Sequence, residues 1–108
     1  MEYRDRIATT VEKELDKDSA YIKYILHSDT GEGELLVDGE KLRVPAYSFT
    51  EMSEIVRREF EKMNPIRRII PMGFRGERLI SDKKELEVYA TGSVGLIEYR
   101  VISGTEEG

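Results

Sequence analysis

The sequence predicts an α+β domain in which two amphipathic helices are each followed by short β-strands. Two stripes of apolar residues at helical spacing predict the helices, one within residues 3–15 and the other within residues 49–63. Segments rich in β-branched and aromatic residues follow each helix and have the length of ordinary strands. The 108 residues contain no linker-like stretch, so we expect a single domain over residues 1–102.

The N-terminal segment has the pattern of a helix that leads into a strand. Ile7, Val11 and Leu15 lie on one face of a helix, with Ala8 beside them, and the positions between them are polar or charged. We therefore expect an amphipathic helix within residues 1–17. The run AYIKYILHS then has the composition of a strand.

A β-hairpin is predicted next by the dipeptide Asp38-Gly39, which separates the runs GELLV and EKLRV. Aspartate and glycine tolerate the positive φ angles of a two-residue hairpin turn, so this dipeptide is a strong hairpin signal. Pro45 lacks a backbone donor and closes the third predicted strand. Three consecutive strands are therefore expected between the two helices.

A second helix is predicted to begin near residue 49 and to end at Asn64-Pro65. Ser48 and Glu51 have the spacing of a capping box, in which a hydroxyl and a carboxylate satisfy the free N–H groups of the first turn. One apolar stripe runs along this helix. It consists of Met52, Ile55, Val56, Phe60 and Met63.

The C-terminal third is predicted to contain strands at both ends. Residues 66–72 read as a strand at a sheet edge or with a bulge, because Pro71 cannot donate to a ladder. Residues 73–80 resemble a tight hairpin, and residues 81–93 are expected to be a loop with at most one helical turn. Residues 94–102 alternate as a final strand, and residues 103–108 are expected to form a flexible tail.

The composition excludes several classes of protein. The absence of cysteine excludes disulfides, thiolate zinc sites and thiol nucleophiles. No apolar run approaches the roughly 20 residues of a membrane span, and the N-terminal EYRDR lacks the apolar segment of a signal peptide. We therefore expect a soluble, cytoplasmic protein, whose many Glu, Lys and Arg residues are typical of a thermophile's surface.

The charges are unevenly distributed along the chain. The formal net charge is −5, which argues against a nucleic-acid partner, yet residues 57–78 carry seven basic and three acidic side chains. Such residues commonly form a solvated helix face or protect a strand edge. The functional alternative is a basic patch for an acidic protein partner. Its candidate residues are Arg57, Arg58, Lys62, Arg67, Arg68, Arg75 and Arg78.

No catalytic or metal-binding constellation emerges from the sequence. Asp29-Thr30-Gly31 matches the D-T-G of aspartic proteases, but the flanking residues differ, so a turn is the favoured interpretation. The acidic residues between 29 and 38 lack the spacing of a calcium loop. His27 is the single histidine, which excludes a two-histidine metal site within one chain, and a surface position at the end of a strand is the favoured interpretation. We expect no enzymatic activity, no metal and no cofactor.

The segment FRGERLISDKKELEVY resembles a conserved pattern of ubiquitin-like proteins. In that family a strand ends in an aromatic residue, followed by x-G-x-x-L, a polar turn, L-x-x-Y and a last strand that ends in arginine. The last strand here is residues 96–100, and one extra residue lies in the polar turn. The matching positions are Phe74, Gly76, Leu79, Leu86 and Tyr89.

This resemblance implies a β-grasp fold over residues 20–102, with a mixed sheet packed on one central helix, extended by the N-terminal helix and an extra strand. In this pattern Gly76 is expected to supply the positive φ of the hairpin turn within residues 73–80. Gly73 stands where ubiquitin has an apolar recognition residue, so recognition through that patch is not expected.

The resemblance leaves two functions open. The first is a non-enzymatic protein-interaction module that uses a sheet edge or the basic patch. The second is a modifier conjugated through a C-terminal glycine, either Gly104 after processing or Gly108.

Overall fold

The computed structural model describes residues 2–73 and 76–103, without the side chain of Glu2. Over these residues the chain is an α+β domain with two helices and one seven-stranded antiparallel sheet. The helices are α1 (Glu2–Leu15) and α2 (Phe49–Met63). The strands are β1 (Ala20–His27), β2 (Glu32–Val37), β3 (Glu40–Pro45), β4 (Arg68–Pro71), β5 (Gly76–Ile80), β6 (Lys84–Thr91) and β7 (Leu96–Ser103).

The sheet is antiparallel throughout, which corrects the expectation of a mixed sheet. Its strand order is β3-β2-β1-β7-β6-β5-β4, and all six neighbouring pairs are antiparallel. Short turns join β1 to β3 in one meander and β4 to β7 in another, and such turns produce antiparallel neighbours. The extra strand β1 joins the two meanders because it pairs with both β2 and β7.

Both helices cover the same face of the sheet and form one hydrophobic core with it. α1 contributes Ile7, Val11 and Leu15, and α2 contributes its predicted apolar stripe, in which Phe60 is fully buried. The sheet contributes alternate residues of its central strands, as expected for a sheet with one covered face. Among the described residues, no helix is long and apolar enough to cross a lipid bilayer.

The predicted hairpin and helix caps are present. Asp38 and Gly39 both have positive φ angles, 52° and 82°, and they connect β2 to β3 through the pair Val37 and Glu40. At the start of α2, the Glu51 N–H donates to the Ser48 hydroxyl at 3.1 Å and the Ser48 N–H donates to the Glu51 carboxylate at 2.8 Å. Both turn chemistry and capping therefore act as the sequence predicted.

The largest correction concerns residues 84–91, which form the strand β6 instead of a loop. Leu86 and Val88 point into the core and pair with residues of β5 and β7. Glu85 and Glu87 alternate with them and face the other side, where Arg78 binds the Glu85 carboxylate. The charged side chains gave the segment the composition of a loop, but their alternation with apolar residues is that of a half-buried strand.

One further expectation changes near the hairpin between β4 and β5. The positive φ belongs to Gly73, at 72°, whereas Gly76 lies in β5. A Cβ atom at Gly76 would collide with the Val88 carbonyl, so glycine is needed there for close approach. Phe74, the aromatic position of the ubiquitin-like pattern, lies outside the described residues.

The final strand extends further than expected. Ser103, predicted as the first tail residue, belongs to β7, where it pairs with Lys84 and its hydroxyl donates to the Asp18 carbonyl. The rest of the predicted tail, residues 104–108, lies outside the described residues.

Candidate protein-binding surface

The sheet has two edge strands, β3 and β4, and they differ in the backbone groups that they expose. In an antiparallel pair, every second residue directs its N–H and C=O towards the neighbouring strand, and the residues between direct theirs away from it. At an edge, these outward groups have no partner strand. They can bind an additional strand from another protein.

A proline removes one hydrogen-bond donor from the β4 edge. The Met72 N–H donates to the Gly76 carbonyl at 2.9 Å, which fixes Ile70 as a residue whose backbone faces β5. By alternation, Ile69 and Pro71 face outward. Because proline has no N–H, Ile69 offers the one outward donor within β4. This four-residue strand is therefore a poor template for strand addition.

The β3 edge is longer and keeps its donors. The two-residue turn makes Val37 and Glu40 a hydrogen-bonded pair, so Leu42 also directs its backbone towards β2. Lys41 and Arg43 therefore direct their N–H and C=O groups outward. Their side chains are exposed on the face of the sheet opposite the helices. Unpaired backbone N–H and C=O groups and basic side chains are thus both exposed along this edge.

β3 carries two basic side chains, Lys41 and Arg43, and one acidic side chain, Glu40, and the basic pair is only partly neutralised by neighbouring carboxylates. Lys41 lies 3.8 Å from the Glu34 carboxylate, which also lies 3.3 Å from His27. The hydrogen bond with His27 is the main reason why the pKa of Glu34 is lowered. Arg43 lies opposite Glu34 in the register, yet no described carboxylate lies within 4 Å of it. Arg43 is therefore available to an acidic partner.

Three of the predicted basic-patch residues lie on α2. Arg57, Arg58 and Lys62 are exposed, and Lys62 binds the buried carboxylate of Glu59 at 3.2 Å. They share a shallow hollow with Glu54 and Glu61, so the local excess of positive charge is small. α2 carries a mixed charged face, which is the usual surface of a solvated helix.

The other predicted basic residues lie elsewhere. Arg67 binds Asp82 at 3.0 Å. Arg68 and Arg78 alternate with inward residues of β4 and β5, which places them on the face opposite α2. Arg78 is already bound to Glu85, whose pKa this bond lowers. Arg75 lies outside the described residues. The structure therefore does not bring the predicted residues together as one patch.

The remaining sequence motifs form turns. Asp29-Thr30-Gly31 lies in the exposed connection between β1 and β2, where the Gly31 N–H donates to the His27 carbonyl at 2.9 Å. The acidic residues between 29 and 38 are dispersed, because Glu34 contacts His27 and Lys41 while Asp38 binds Lys17. Over residues 2–73 and 76–103, no group of three ligating side chains could hold a metal ion.

Lys41 and Arg43 were not predicted as binding residues, although the sequence contains the signal that identifies them. The Asp38-Gly39 turn fixes the register of the hairpin, and alternation from Glu40 then places both side chains on one face and both N–H groups outward. What the sequence did not show is that β3 lies at an edge. That position depends on β1 pairing between β2 and β7.

No protein-family model, curated protein or solved structure matches this chain. What it binds is therefore inferred from the geometry and charge of its own surface.

Proposed function

We propose that this chain is a non-enzymatic protein-interaction module that binds an extended segment of an acidic partner as an additional strand on β3. The observation that carries this proposal is the pair of outward backbone positions at Lys41 and Arg43, beneath exposed basic side chains. In strand addition the main-chain hydrogen bonds supply affinity, and alternate side chains supply selectivity.

The register specifies the chemistry of the partner strand. Residues directly opposite Lys41 and Arg43 would lie on the face away from the helices, where a carboxylate would meet each cation. The residue between them would face Leu42, which is half-buried beside the core. The preferred segment therefore has acidic residues two positions apart and an apolar residue between them.

A second copy of this chain is a poorer occupant of the same edge. If two β3 strands paired antiparallel about Leu42, Lys41 of each copy would lie opposite Arg43 of the other. Like charges directly opposite each other destabilise a sheet. The edge thus repels itself and attracts an acidic strand.

The ubiquitin-like fold is part of this proposal. β2 and β7 both run antiparallel to β1, so they run parallel to each other with β1 between them. Residues 33–103 also keep the order of hairpin, helix and later strands that the resemblance implies. We regard β1 as a strand inserted into a ubiquitin-like arrangement, which would explain why the sheet is not mixed.

Hydrogen exchange on the full chain tests strand addition directly. The probe is an acetylated, amidated peptide of alternating valine and glutamate, and the control peptide has lysine in place of glutamate. The glutamate peptide should protect the amides of Lys41 and Arg43, which have no partner strand in the free chain, and protection should weaken as salt rises. Failure to protect these two amides would refute strand addition at β3.

Two variants separate charge from backbone. Arg43→Gln keeps the outward N–H and loses the cation, so the salt dependence should decrease while some protection of Lys41 remains. Arg43→Pro removes the N–H itself and should weaken binding further. Arg58→Gln is the matched control, because Arg58 is exposed on α2 away from this edge. Equal binding by all three variants would contradict the proposed site.

The second candidate function is a conjugated modifier. It is favoured by the position of Gly104 directly after the last paired residue, Ser103, since a conjugated glycine must be accessible beyond the folded domain. Its test is the state of the two glycines in the native cell, given in the Discussion.

A further inference from the structure

The face of the sheet opposite the two helices carries alternate side chains of the central strand, β7. β7 is the fourth of the seven strands, and its residues Ile97, Tyr99 and Val101 point into the core. The residues that alternate with them therefore point away from the helices, to a surface that we call the open face. These residues are Leu96, Glu98, Arg100 and Ile102.

The open face exposes apolar side chains near its centre. Tyr21 is 41% exposed and Ile102 is 38% exposed, and they lie on the neighbouring strands β1 and β7. Ile25 and Leu96 lie opposite each other on the same two strands and are only partly buried. Exposed apolar residues grouped on one surface are typical of a protein-binding site.

Two charged residues of β7 have no ionic partner within the described part of the chain. Glu98 and Arg100 lie two positions apart on the open face, and neither is within 4 Å of an oppositely charged side chain. Tyr21 orients both of them, because its hydroxyl donates to the Glu98 carboxylate and its ring centre lies 5.6 Å from the Arg100 guanidinium carbon. One anion and one cation are therefore held side by side and are available to a partner.

The order of the side chains on β7 is self-complementary. If β7 of a second copy crosses β7 in the antiparallel direction, with a two-fold axis at Tyr99, Glu98 of each copy meets Arg100 of the other. Leu96 of each copy then meets Ile102 of the other. In a two-fold interface every such contact occurs twice. Parallel stacking would instead place Arg100 opposite Arg100, and like charges repel.

The strands on both sides of β7 fit the same arrangement. On β1, the axis brings Lys23 of one copy opposite Tyr21 of the other, where an ammonium meets an aromatic ring. On β6, it brings Glu87 opposite Tyr89, where a carboxylate meets a hydroxyl. Both contacts follow from the register, which places Lys23 and Tyr89 beside the same residue of β7, Glu98. Among the described side chains of these three strands, no like charges meet.

We propose that the open face is the interface of a homodimer, in which two copies of this chain stack their sheets about a two-fold axis across β7. Strands about 4.8 Å apart, with about 3.4 Å per residue, give seven strands of about six residues a face of about 600 Å². Two copies would bury about 1,200 Å², at the lower end of the range for specific interfaces. An interface of that size fits a dissociation constant of about 10 μM.

This interface leaves the proposed strand-addition site open. The outward N–H groups of Lys41 and Arg43 lie at the edge of the sheet, in its plane, whereas the dimer contact lies on its face. A second copy and an acidic strand can therefore bind the same chain. Failure of one interaction does not bear on the other.

Sedimentation equilibrium of the full chain tests dimer formation. Between about 1 and 500 μM, the average mass should rise from that of one chain towards that of two. Glu98→Arg and Arg100→Glu each place like charges opposite each other at both contacts, so each should weaken dimerisation at least about tenfold. The matched controls are Glu61→Arg and Arg58→Glu, which change exposed residues of α2 on the other side of the sheet and should leave the dissociation constant unchanged.

Mixing the two β7 variants tests whether Glu98 of one copy contacts Arg100 of the other. A chain with Glu98→Arg has cations at both positions and a chain with Arg100→Glu has anions at both, so one of each satisfies both contacts. The mixture should form a heterodimer within about threefold of the original affinity, and the double variant should dimerise similarly. Both single variants keep a negative net charge, because one reversal does not offset the −5 of the unchanged chain, so net charge alone would repel them.

Three results would overturn the inference. One is a monomer mass for the unchanged chain at about 500 μM. Another is a dimer that neither reversal weakens, since the contact would then lie outside the open face. The third is a mixture of the two variants that stays monomeric although urea unfolding shows that both are folded.

Discussion

The backbone of Gly33 lies so close to the side chain of Tyr24 that no Cβ atom fits between them. Gly33 lies in β2, and a Cβ atom there would stand 2.7 Å from the Tyr24 hydroxyl and 2.8 Å from the Pro45 carbonyl. Tyr24 is fully buried, and its hydroxyl donates to the Tyr47 carbonyl at 2.6 Å. To reach an ordinary contact of 3.4 Å, the hydroxyl would have to retreat by about 0.7 Å. We therefore predict that Gly33→Ala displaces the ring and breaks this bond.

Three contributions determine how much Gly33→Ala changes the free energy of unfolding. Overpacking a buried site costs about 1–3 kcal/mol, and the lost hydrogen bond costs about 1 kcal/mol. Replacing glycine by alanine within a strand returns about 0.5–1 kcal/mol. The free energy of unfolding should fall by about 1–3 kcal/mol. The assay is urea unfolding followed by far-UV circular dichroism, because the chain contains no tryptophan.

A double-mutant cycle tests whether the loss of stability comes from the contact between residue 33 and the Tyr24 hydroxyl. In a Tyr24→Phe background the atom nearest to the new Cβ is absent, so Gly33→Ala should cost less, with a coupling energy of about 1 kcal/mol. Gly92→Ala is the control, because no atom lies within 4 Å of a Cβ built there. A loss below about 0.5 kcal/mol for Gly33→Ala, or strict additivity with Tyr24→Phe, would refute the reasoning.

Two other predictions concern alkaline stability and the C-terminal glycines. Burial raises the pKa of Tyr24 to about 12, above the value near 10 of the unfolded chain, so the folded state holds its proton more tightly. The contribution of Tyr24 to stability should be complete below pH 10 and fall by about 2 kcal/mol as pH rises to 12. Burial also raises the pKa of Tyr99, so unfolding curves of Tyr24→Phe should show a smaller decrease than those of the unchanged chain, and identical curves would contradict the prediction. For the modifier function, denaturing immunoblots from the native cell should show adducts that disappear when Gly104 and Gly108 are changed to alanine. A single monomer band with or without those glycines would exclude conjugation.

The elements that the sequence predicted correctly are those determined by local chemistry. α2 has a capping box at Ser48, a continuous apolar stripe and a stop at Asn64, and each acts within a few residues. The hairpin at Asp38-Gly39 likewise depends on two φ angles. None of these features needs information about distant parts of the chain.

The elements that it missed depend on distant partners. β6 carries charged residues that a loop would also carry, and it is a strand because β5 and β7 pair on both sides and Arg78 binds Glu85. The described residues of the predicted basic patch are separated on the surface for a related reason. Residues 57–78 are basic along the chain, but α2 and the strands β4 and β5 direct those side chains to different faces. Basic residues that are close in the sequence therefore do not lie together on the surface.

The two edges show why the β3 surface is the better candidate for recognition. Pro71 blunts β4 by removing a donor, and that protection acts equally against every strand that approaches. Lys41 and Arg43 leave the donors of β3 in place and protect them by charge, which repels a second copy of this chain but attracts an acidic segment. Protection by charge is selective, whereas protection by proline is not. The proposed strand addition requires an edge with selective protection, and β3 is the edge whose donors are kept and flanked by basic side chains.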